Sequence, residues 1–255
     1  MTTNRVRGRV FGEVADEYDR IRPSYPAELV ADVLAYAGPP ALEVGAGTGK
    51  ATELFAAHGI DLVATEPDPA MAALLARRVA DRPNVTVTVS TFEEYVPERR
   101  FGLLLCAQAW HWVDKEVRWQ RAAAALAPGG GIALFWNADW PRDTEVTAAL
   151  RAAHQEFAPH LAPNTGPISD PPGEEAWAAE MGVPPAFGDL GTRSYRSERT
   201  MPVADYIAYL STQSAYRLLD EDVRERLFGA LRDGLGAQVR LDVETKLYLA
   251  RHEPA

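Results

Sequence analysis

The feature that most constrains this chain is a short apolar segment that runs directly into a glycine-rich loop. Residues 41–44 read Ala-Leu-Glu-Val, and residues 45–49 read Gly-Ala-Gly-Thr-Gly, before a segment with helical patterning. A glycine loop between a strand and a helix exposes backbone N–H groups and lets a ligand approach the main chain closely. The sequence therefore predicts an α/β scaffold that holds a nucleotide-type ligand.

Strand-like and helix-like segments alternate through the first half of the chain. Strands are predicted at 41–44, 61–65, 85–89, 101–107 and 132–136, and helices at 26–36, 49–58, 69–80 and 117–126. This alternation predicts a doubly wound, mainly parallel sheet, which binds ligands beyond the carboxyl ends of its strands.

The second half of the chain has a less regular pattern. Helices are predicted at 144–157, 203–212 and 220–234, strands at 192–201 and 241–249, and Pro- and Gly-rich loops at 158–172 and 184–191. Adding the two late strands to the sheet gives the α/β fold class. The predicted domains are 1–137 with 191–255 as the sheet domain, and 138–190 as an inserted cap over its cleft.

Composition narrows the class of protein. The chain has 255 residues, a formal net charge of -10 and 47% hydrophobic residues, which suits one α/β domain with insertions. The acidic balance and the lack of a basic stripe disfavour a nucleic-acid partner. The single cysteine, Cys106, favours a reducing, cytoplasmic setting, and no apolar run suits a secretion signal or a membrane span. No histidine or cysteine spacing suits a metal site, so no metal is expected.

Two nucleotide-binding patterns fit the glycine loop poorly. A phosphate loop needs glycine and a hydroxyl residue where the chain has Val44 and Ala51. A dinucleotide-binding fingerprint needs a small residue where Lys50 stands. An NAD-dependent oxidoreductase therefore stays open as a weaker alternative, and so does a plain strand–helix turn with an incidental glutamate.

The pattern that fits is acid-x-Gly-x-Gly-x-Gly, which is typical of methyltransferases that use S-adenosylmethionine. Glu43 suits the cationic amino-acid part of that cofactor, and Gly45 and Gly47 let the backbone approach its methionine and ribose parts. Glu66 ends the second strand, where a carboxylate can accept both ribose hydroxyl hydrogens. Ribose recognition alone does not separate this cofactor from NAD.

Further cofactor contacts are predicted where later strands end. Met71 is placed to pack against the adenine, while Thr91 and Phe92 follow the third strand and can meet the adenine edge and face. Phe92 fits the core equally well. Gln108 follows the fourth strand and completes the predicted set of cofactor-binding residues.

Four motifs taken together resemble small-molecule methyltransferases typified by the ubiquinone-biosynthesis C-methyltransferases. They lie at residues 41–50, 65–68, 105–113 and 126–130. The His111-Trp112 pair is most similar to the trans-aconitate-type bacterial branch. The resemblance covers residues 10–136 and implies a seven-stranded Rossmann-like methyltransferase fold with S-adenosylmethionine as its cofactor. An aspartate is usual at the position of Glu66.

An N-terminal helix is predicted to cover the cofactor. Phe11, Ala15 and Tyr18 share one helical face by their spacing. In the resembled family such a helix lies over the cofactor with its tyrosine near the methionyl group, so Tyr18 is predicted to bind the cofactor. An amphipathic helix packed on the sheet is the alternative.

The acceptor of the methyl group is expected at the strand ends, where aromatic residues concentrate. His111 is the candidate general base, because it is the one histidine that follows a predicted sheet strand at the crevice. A structural role, holding a neighbouring tryptophan, is the alternative. The predicted acceptor-binding residues are Tyr25, Trp110, Trp112 and Trp136.

The sequence thus predicts methyl transfer from S-adenosylmethionine to an oxygen, carbon or nitrogen of a small molecule by in-line displacement. A protein that binds this cofactor without transferring methyl, as a pericyclic catalyst or a scaffold, is the alternative within the same fold. The sequence identifies neither the acceptor nor the oligomeric state.

Overall fold

The computed structural model describes residues 15–166 and 172–253, so the predicted position of Phe11 lies outside the described residues. The strands are β1 (Ala41–Val44), β2 (Leu62–Glu66), β3 (Val85–Val89), β4 (Phe101–Ala107), β5 (Leu126–Pro141), β6 (Phe187–Pro202) and β7 (Gln238–His252). The helices are α1 (Ala15–Ile21), α2 (Ala27–Tyr36), α3 (Lys50–Ala56), α4 (Pro69–Arg78), α5 (Arg118–Ala125), α6 (Thr144–Phe157), α7 (Glu174–Met181), α8 (Val203–Ser211), α9 (Ser214–Arg217) and α10 (Glu221–Gly234).

The strands form one seven-stranded sheet in the order β3-β2-β1-β4-β5-β7-β6. β1 to β5 run parallel to one another, whereas β7 pairs antiparallel with both β5 and β6. The predicted α/β class and the mainly parallel, seven-stranded sheet are therefore confirmed.

Strand order reverses between β1 and β4, because the chain moves outward from β1 to β3 and then returns to the other side of β1. The loop after β1 and the loop after β4 leave the sheet at this point. A crevice opens beyond the strand ends wherever neighbouring loops diverge to opposite faces of a parallel sheet. The fold thus places the glycine loop beside residues 108–113.

Both faces of the sheet are covered, as the apolar run of β4 predicts. Leu103 and Leu105 pack into one hydrophobic cluster with α2 and α3, whereas Leu104 and Cys106 pack into another with α5 and α7. A third cluster joins α6, α8, α9 and α10, with Leu227 fully buried at its centre. No helix in the described ranges is long and apolar enough to cross a membrane.

Local signals fix several element ends. The Asp68 carboxylate accepts the N–H groups of Ala70 and Met71 at 2.9 and 3.2 Å, which makes Asp68 the N-cap of α4. Gly59 adopts a positive φ of 70° just past α3, where a left-handed residue reverses the chain.

Three segments differ from the sequence prediction. β5 begins at Leu126 and ends at Pro141, well beyond the predicted 132–136, because β4 and β7 supply partners along its length. β6 begins at Phe187 and pairs with β7 through a segment that the sequence predicts as loop. α7 also forms inside the predicted cap, where Trp177 is almost fully buried.

Candidate functional site

Three glycines of the loop after β1 have left-handed backbones, but only one faces open space. Gly45, Gly47 and Gly49 have φ values of 67°, 59° and 90°. A Cβ on Gly45 would lie 2.5 Å from the Cβ of Ala109, and one on Gly49 would lie 2.4 Å from Leu75 Cδ1. A Cβ on Gly47 would meet no atom of the described residues within 4 Å. Gly45 and Gly49 therefore permit close packing, whereas Gly47 leaves room above the loop.

Glu66, at the end of β2, is held by the glycine loop itself. Its Oε2 accepts the Gly47 N–H at 2.8 Å, and its Oε1 accepts the Asp68 N–H at 2.8 Å. Burial raises the pKa of Glu66 to about 7, against the opposing effect of these two backbone hydrogen bonds. The carboxyl group is thus fixed in orientation and titrates near neutral pH.

Glu43 lies beneath the loop rather than on its open side. Its side chain is fully buried, and its Oε2 accepts the Thr52 hydroxyl at 2.6 Å. Burial raises the pKa of Glu43 to about 8, and the Thr52 hydrogen bond opposes this shift. Its Oε1 has no hydrogen-bond partner among the described residues. Glu43 does not line either cavity described below, so direct contact with a ligand is not the arrangement observed.

A cavity of about 260 Å³, here called the loop cavity, opens beside Gly47. It brings together nine residues that the sequence predicts for the site, from six separate segments: Tyr18, Gly45, Gly47, Glu66, Met71, Thr91, Phe92, Gln108 and Trp112. Its other lining residues are Val44, Pro67, Glu93, Glu94, Ala107, Ala109 and Val113. Of the nine residues predicted to bind the cofactor, only Glu43 is missing from this lining.

A smaller cavity of about 50 Å³, here called the arginine cavity, lies on the other side of Tyr18 and Gln108. It includes Tyr25, one of the predicted acceptor-binding residues. Its lining residues are Tyr18, Arg22, Pro23, Tyr25, Gly45, Ala46, Gly47, Thr48, Lys50, Ala51, Ala107, Gln108, Asn137 and Tyr209. Tyr18 and Gln108 therefore lie between the two cavities and contribute to both.

The charged lining residues of the two cavities have opposite signs. Among the described residues, those of the loop cavity are Glu66, Glu93 and Glu94, whereas those of the arginine cavity are Arg22 and Lys50. Low-dielectric walls strengthen the field of such groups, so a cavity lined by one sign favours ligands of the other. The loop cavity thus favours a cationic ligand, and the arginine cavity favours an anionic one.

Gln108 lies between the two cavities and has an unusual backbone conformation. Its φ is 61°, a left-handed value that a non-glycine residue rarely adopts. Its amide Nε2 donates to the Asn137 backbone oxygen at 3.0 Å, and its backbone N–H donates to the Phe135 oxygen at 2.9 Å. The end of β5 therefore fixes this residue. Left-handed non-glycine residues cluster at functional sites.

Asp19 connects helix α1 to the glycine loop and to α4. The Thr48 hydroxyl donates to Asp19 at 2.7 Å, Arg78 donates to both carboxylate oxygens at 2.5 Å, and Lys50 lies 3.9 Å away. These contacts hold Tyr18 against both cavities, as the predicted covering helix requires.

His111 lies outside the lining of both cavities. Its Nδ1 accepts the indole N–H of Trp136 at 3.3 Å. Burial lowers the pKa of His111, and the positive charge of Arg118 lowers it further. The Nδ1 lone pair is therefore occupied by the indole hydrogen of Trp136.

Two of the tryptophans that the sequence predicts to bind the acceptor lie outside the linings of both cavities. Trp110 is fully buried and packs against Phe92 and Trp119 at ring-centroid distances of 6.1 and 5.3 Å. The prediction that Trp110 binds the acceptor is corrected, because no part of its side chain reaches a cavity. Trp136 is half-buried and packs edge-on against Tyr248 at 5.7 Å, also outside both linings.

Several residues that line the cavities are not among the site residues that the sequence predicts. Glu93 and Glu94 could have been inferred, because they follow Phe92 at the end of β3, where parallel sheets bind ligands. Asn137 lies within the extended β5, which the sequence predicts to end at residue 136. Tyr209 comes from α8, and no local signal connects that helix with the glycine loop.

Comparison with known proteins agrees with this architecture. Residues 41–130 match the model of a methyltransferase domain family. An uncharacterized methyltransferase of Mycobacterium tuberculosis is 39% identical over 128 residues, which cover 50% of this chain and 51% of the relative. The chain thus spans about half the length of its mycobacterial relatives in these matches. An uncharacterized methyltransferase-like protein of Schizosaccharomyces pombe is 25% identical over 95% of both chains.

Solved structures show the same fold at low sequence identity. A protein of Anaeromyxobacter dehalogenans, provisionally described as a type II methyltransferase, superposes with a TM-score of 0.66 at 24% identity, covering 92% of this chain and 99% of the other. Phosphoethanolamine N-methyltransferase 2 of Haemonchus contortus, solved with S-adenosylhomocysteine, gives a TM-score of 0.54 at 15% identity, covering 100% of this chain and 61% of the other. Residues 41–130 are thus similar to a methyltransferase domain family, and the chain shares the fold of these two solved proteins.

Proposed function

We propose that this chain, as the bearer of a class I methyltransferase domain, transfers a methyl group from S-adenosylmethionine to an oxygen, carbon or nitrogen of a small molecule. The observation that carries the proposal is the loop cavity at the point where strand order reverses. There the carboxylate of Glu66 is fixed by Gly47, and every charged lining residue within 15–166 and 172–253 is acidic.

The residues present fit this cofactor. Its ammonium and sulfonium groups are cationic, which suits the acidic lining of the loop cavity. Gly47 leaves the open space that a nucleoside needs above the loop. Glu66 would hold the ribose hydroxyls, and Met71 and Phe92 would contact the adenine.

Glu43 would act on the cofactor through the loop rather than by contact. Its backbone oxygen accepts the Thr65 hydroxyl at 2.9 Å, and its carboxyl bonds Thr52 at the start of α3. It therefore ties β1 to β2 and to α3 beneath the ligand.

S-Adenosylmethionine, when bound, supplies a methyl group that a nucleophile attacks in line with the departing sulfur. The chain's own contribution is alignment and exclusion of water. Tyr18 and Gln108 would set the boundary between donor and acceptor, because they line both cavities. Trp112 would close the loop cavity, and Tyr25 would contact the acceptor.

Proton removal by His111 would need a change at Trp136. The Nδ1 lone pair that would take the proton accepts the Trp136 indole hydrogen. We therefore propose His111 as a base only for a state in which Trp136 has moved. An acceptor that is already an anion needs no such base.

The test is transfer of a labelled methyl group from S-adenosylmethionine in a whole-cell extract that is separated into low- and high-molecular-weight fractions after the reaction. The expected result is label in a low-molecular-weight product with the wild type and with Glu98→Gln, which changes an exposed glutamate outside both cavities. Glu66→Gln should lose most of this transfer. Label only in a macromolecular fraction would contradict a small-molecule acceptor, and donor binding without any labelled product would favour the non-methylating alternative.

A further inference from the structure

A passage connects the loop cavity with the arginine cavity, and the described residues that line both cavities surround it: Tyr18, Gly45, Gly47, Ala107 and Gln108. Of these, only Tyr18 and Gln108 carry a polar side-chain atom. In the proposed function a methyl group crosses this passage, from a donor in the loop cavity to an acceptor in the arginine cavity. We infer that the side-chain oxygen of Gln108 contacts that methyl group and orients it toward the acceptor. The inference rests on the proposed function and gives it a further contact with the donor.

The amide group of Gln108 is held in one orientation. Its Nε2 donates to the backbone oxygen of Asn137 at 3.0 Å. Because a backbone oxygen can only accept, the amide nitrogen must face Asn137, and the amide oxygen must point in another direction. This oxygen accepts no hydrogen bond from residues 15–166 and 172–253. Its lone pairs are therefore available to a ligand at the passage.

Asn137, which orients the amide of Gln108, is itself fixed by two further hydrogen bonds. Its Nδ2 donates to the backbone oxygen of Ser24 at 3.1 Å, and its Oδ1 accepts the Thr245 hydroxyl at 2.6 Å. These bonds connect β5 to β7 and to the segment between α1 and α2. The side chain of Gln108 is thus attached to a rigid part of the sheet, beside the arginine cavity that Asn137 also lines.

The backbone of Gln108 is fixed as well. Its φ of 61° lies in the left-handed region, where asparagine and aspartate are the more usual non-glycine residues. Its N–H donates to the Phe135 oxygen at 2.9 Å, so the chain turns at this residue directly after β4. Left-handed residues with a side chain cost conformational energy and cluster where that side chain has a function.

An amide oxygen suits a methyl group that is bonded to a sulfonium. The positive sulfur withdraws electrons from the methyl group, so the methyl hydrogens interact favourably with an oxygen lone pair. A neutral amide oxygen is also a weak nucleophile, so it orients the methyl group without accepting it. During transfer a lone pair of the acceptor forms the new bond to the methyl carbon, and the carbon–sulfur electron pair returns to sulfur. Gln108 forms and breaks no covalent bond.

Sinefungin tests this contact without an acceptor, because it carries an amine on carbon where the donor carries a methyl group on sulfur. S-Adenosylhomocysteine has neither group and is the reference ligand in calorimetric titrations. Gln108→Met keeps the length of the side chain and removes its oxygen. It should weaken sinefungin about 10- to 100-fold, because a hydrogen bond to a charged group is lost, and leave S-adenosylhomocysteine unchanged. S-Adenosylmethionine should bind about 2- to 5-fold more weakly.

A second variant and a matched control accompany this measurement. Gln108→Asn keeps an amide and tolerates the left-handed backbone, but its oxygen lies one methylene short of the passage, so it should also weaken sinefungin selectively. Gln155→Met changes an exposed glutamine on α6 that lines neither cavity, and it should leave both affinities unchanged. Urea unfolding establishes that each variant is folded.

The inference is overturned if Gln108→Met leaves sinefungin binding unchanged. It is also overturned if the variant weakens S-adenosylhomocysteine by the same factor, because the oxygen would then bind the amino-acid ammonium that both ligands carry. A selective loss of sinefungin in Tyr18→Phe but not in Gln108→Met would assign the contact to the tyrosine instead. Failure of the wild type to bind S-adenosylhomocysteine would overturn the proposed function itself.

Discussion

Replacement of Gly47 by alanine should separate ligand binding from stability. Gly47 has a φ of 59°, so any side chain there is strained, and a Cβ would project into open space beside the loop cavity. A left-handed backbone costs a non-glycine residue about 1–2 kcal/mol. Restricting the unfolded chain returns about 0.4–1 kcal/mol of this. Gly47→Ala should therefore lower the free energy of unfolding by about 1 kcal/mol.

The same methyl group should reduce cofactor affinity by a separate route. It would occupy volume that the proposed cofactor needs. An extra methyl group in a closely packed site costs about 1–3 kcal/mol, which corresponds to a factor of about 5 to 150 in affinity. Calorimetric titration with S-adenosylhomocysteine measures this factor directly.

Gly59→Ala is the matched control for this experiment. Gly59 has a φ of 70° and also has open space where a Cβ would go, but it lies past α3 and lines neither cavity. Urea unfolding should show a similar loss of stability in both variants, with ligand affinity reduced only in Gly47→Ala. Equal affinities in the two variants, or equal losses, would refute the assignment of the loop cavity to the cofactor.

Three further predictions concern the carboxyl groups around the loop. Because the pKa of Glu66 is about 7, affinity for cationic S-adenosylmethionine should rise as the carboxyl ionises between about pH 6 and 8, whereas Glu66→Gln should give a flat calorimetric profile. Burial raises the pKa of Glu43 to about 8, so its stabilising effect is present below its ordinary pKa and is lost as pH rises through 8. The free energy of unfolding should fall by up to about 5 kcal/mol between about pH 4.5 and 8, and Glu43→Gln should remove this part of the fall in urea titrations at several pH values. Asp68→Ala should cost about 1 kcal/mol by the same urea assay, since it removes the N-cap of α4, and an unchanged midpoint would contradict that role.

Where local chemistry decides an element, the sequence predicts it to the residue. Strands Ala41–Val44, Val85–Val89 and Phe101–Ala107 have the bounds that their apolar patterns indicate. The N-cap Asp68 is equally local, because its side chain accepts N–H groups only two and three residues away. These features depend on neighbours along the chain.

Where contacts with distant residues decide whether a segment forms a strand or a helix, the sequence prediction is incomplete. The glycine-rich segment 129–131 has the composition of a turn, and the register with β4 shifts there. Leu126 nevertheless pairs with β4 before this segment, and β7 pairs with residues 131–141 after it, so β5 extends in both directions. α7 is anchored by Trp177 against Tyr248, at a ring-centroid distance of 5.3 Å, and this contact is invisible in the local pattern. Tertiary pairing thus overrides propensity at these places.

The site residues divide in the same way, into those that the local sequence predicts and those that depend on contacts between distant segments. Residues that immediately follow β1, β2, β3 and β4 could be placed in the crevice from strand order alone, and the loop cavity brings them together. The turn after β4 has no periodicity to tell which side chains point inward, so the burial of Trp110 and the outward position of His111 could not be predicted. The arginine cavity depends on α8 and the extended β5, which reach the loop only through the fold.

The measurement that tests the account most directly is calorimetric titration of the wild-type protein with S-adenosylmethionine and, separately, with NAD. An acidic loop cavity and Lys50 in place of a small residue predict saturable binding of S-adenosylmethionine and no detectable binding of NAD. Binding of NAD without binding of S-adenosylmethionine would contradict the proposed function.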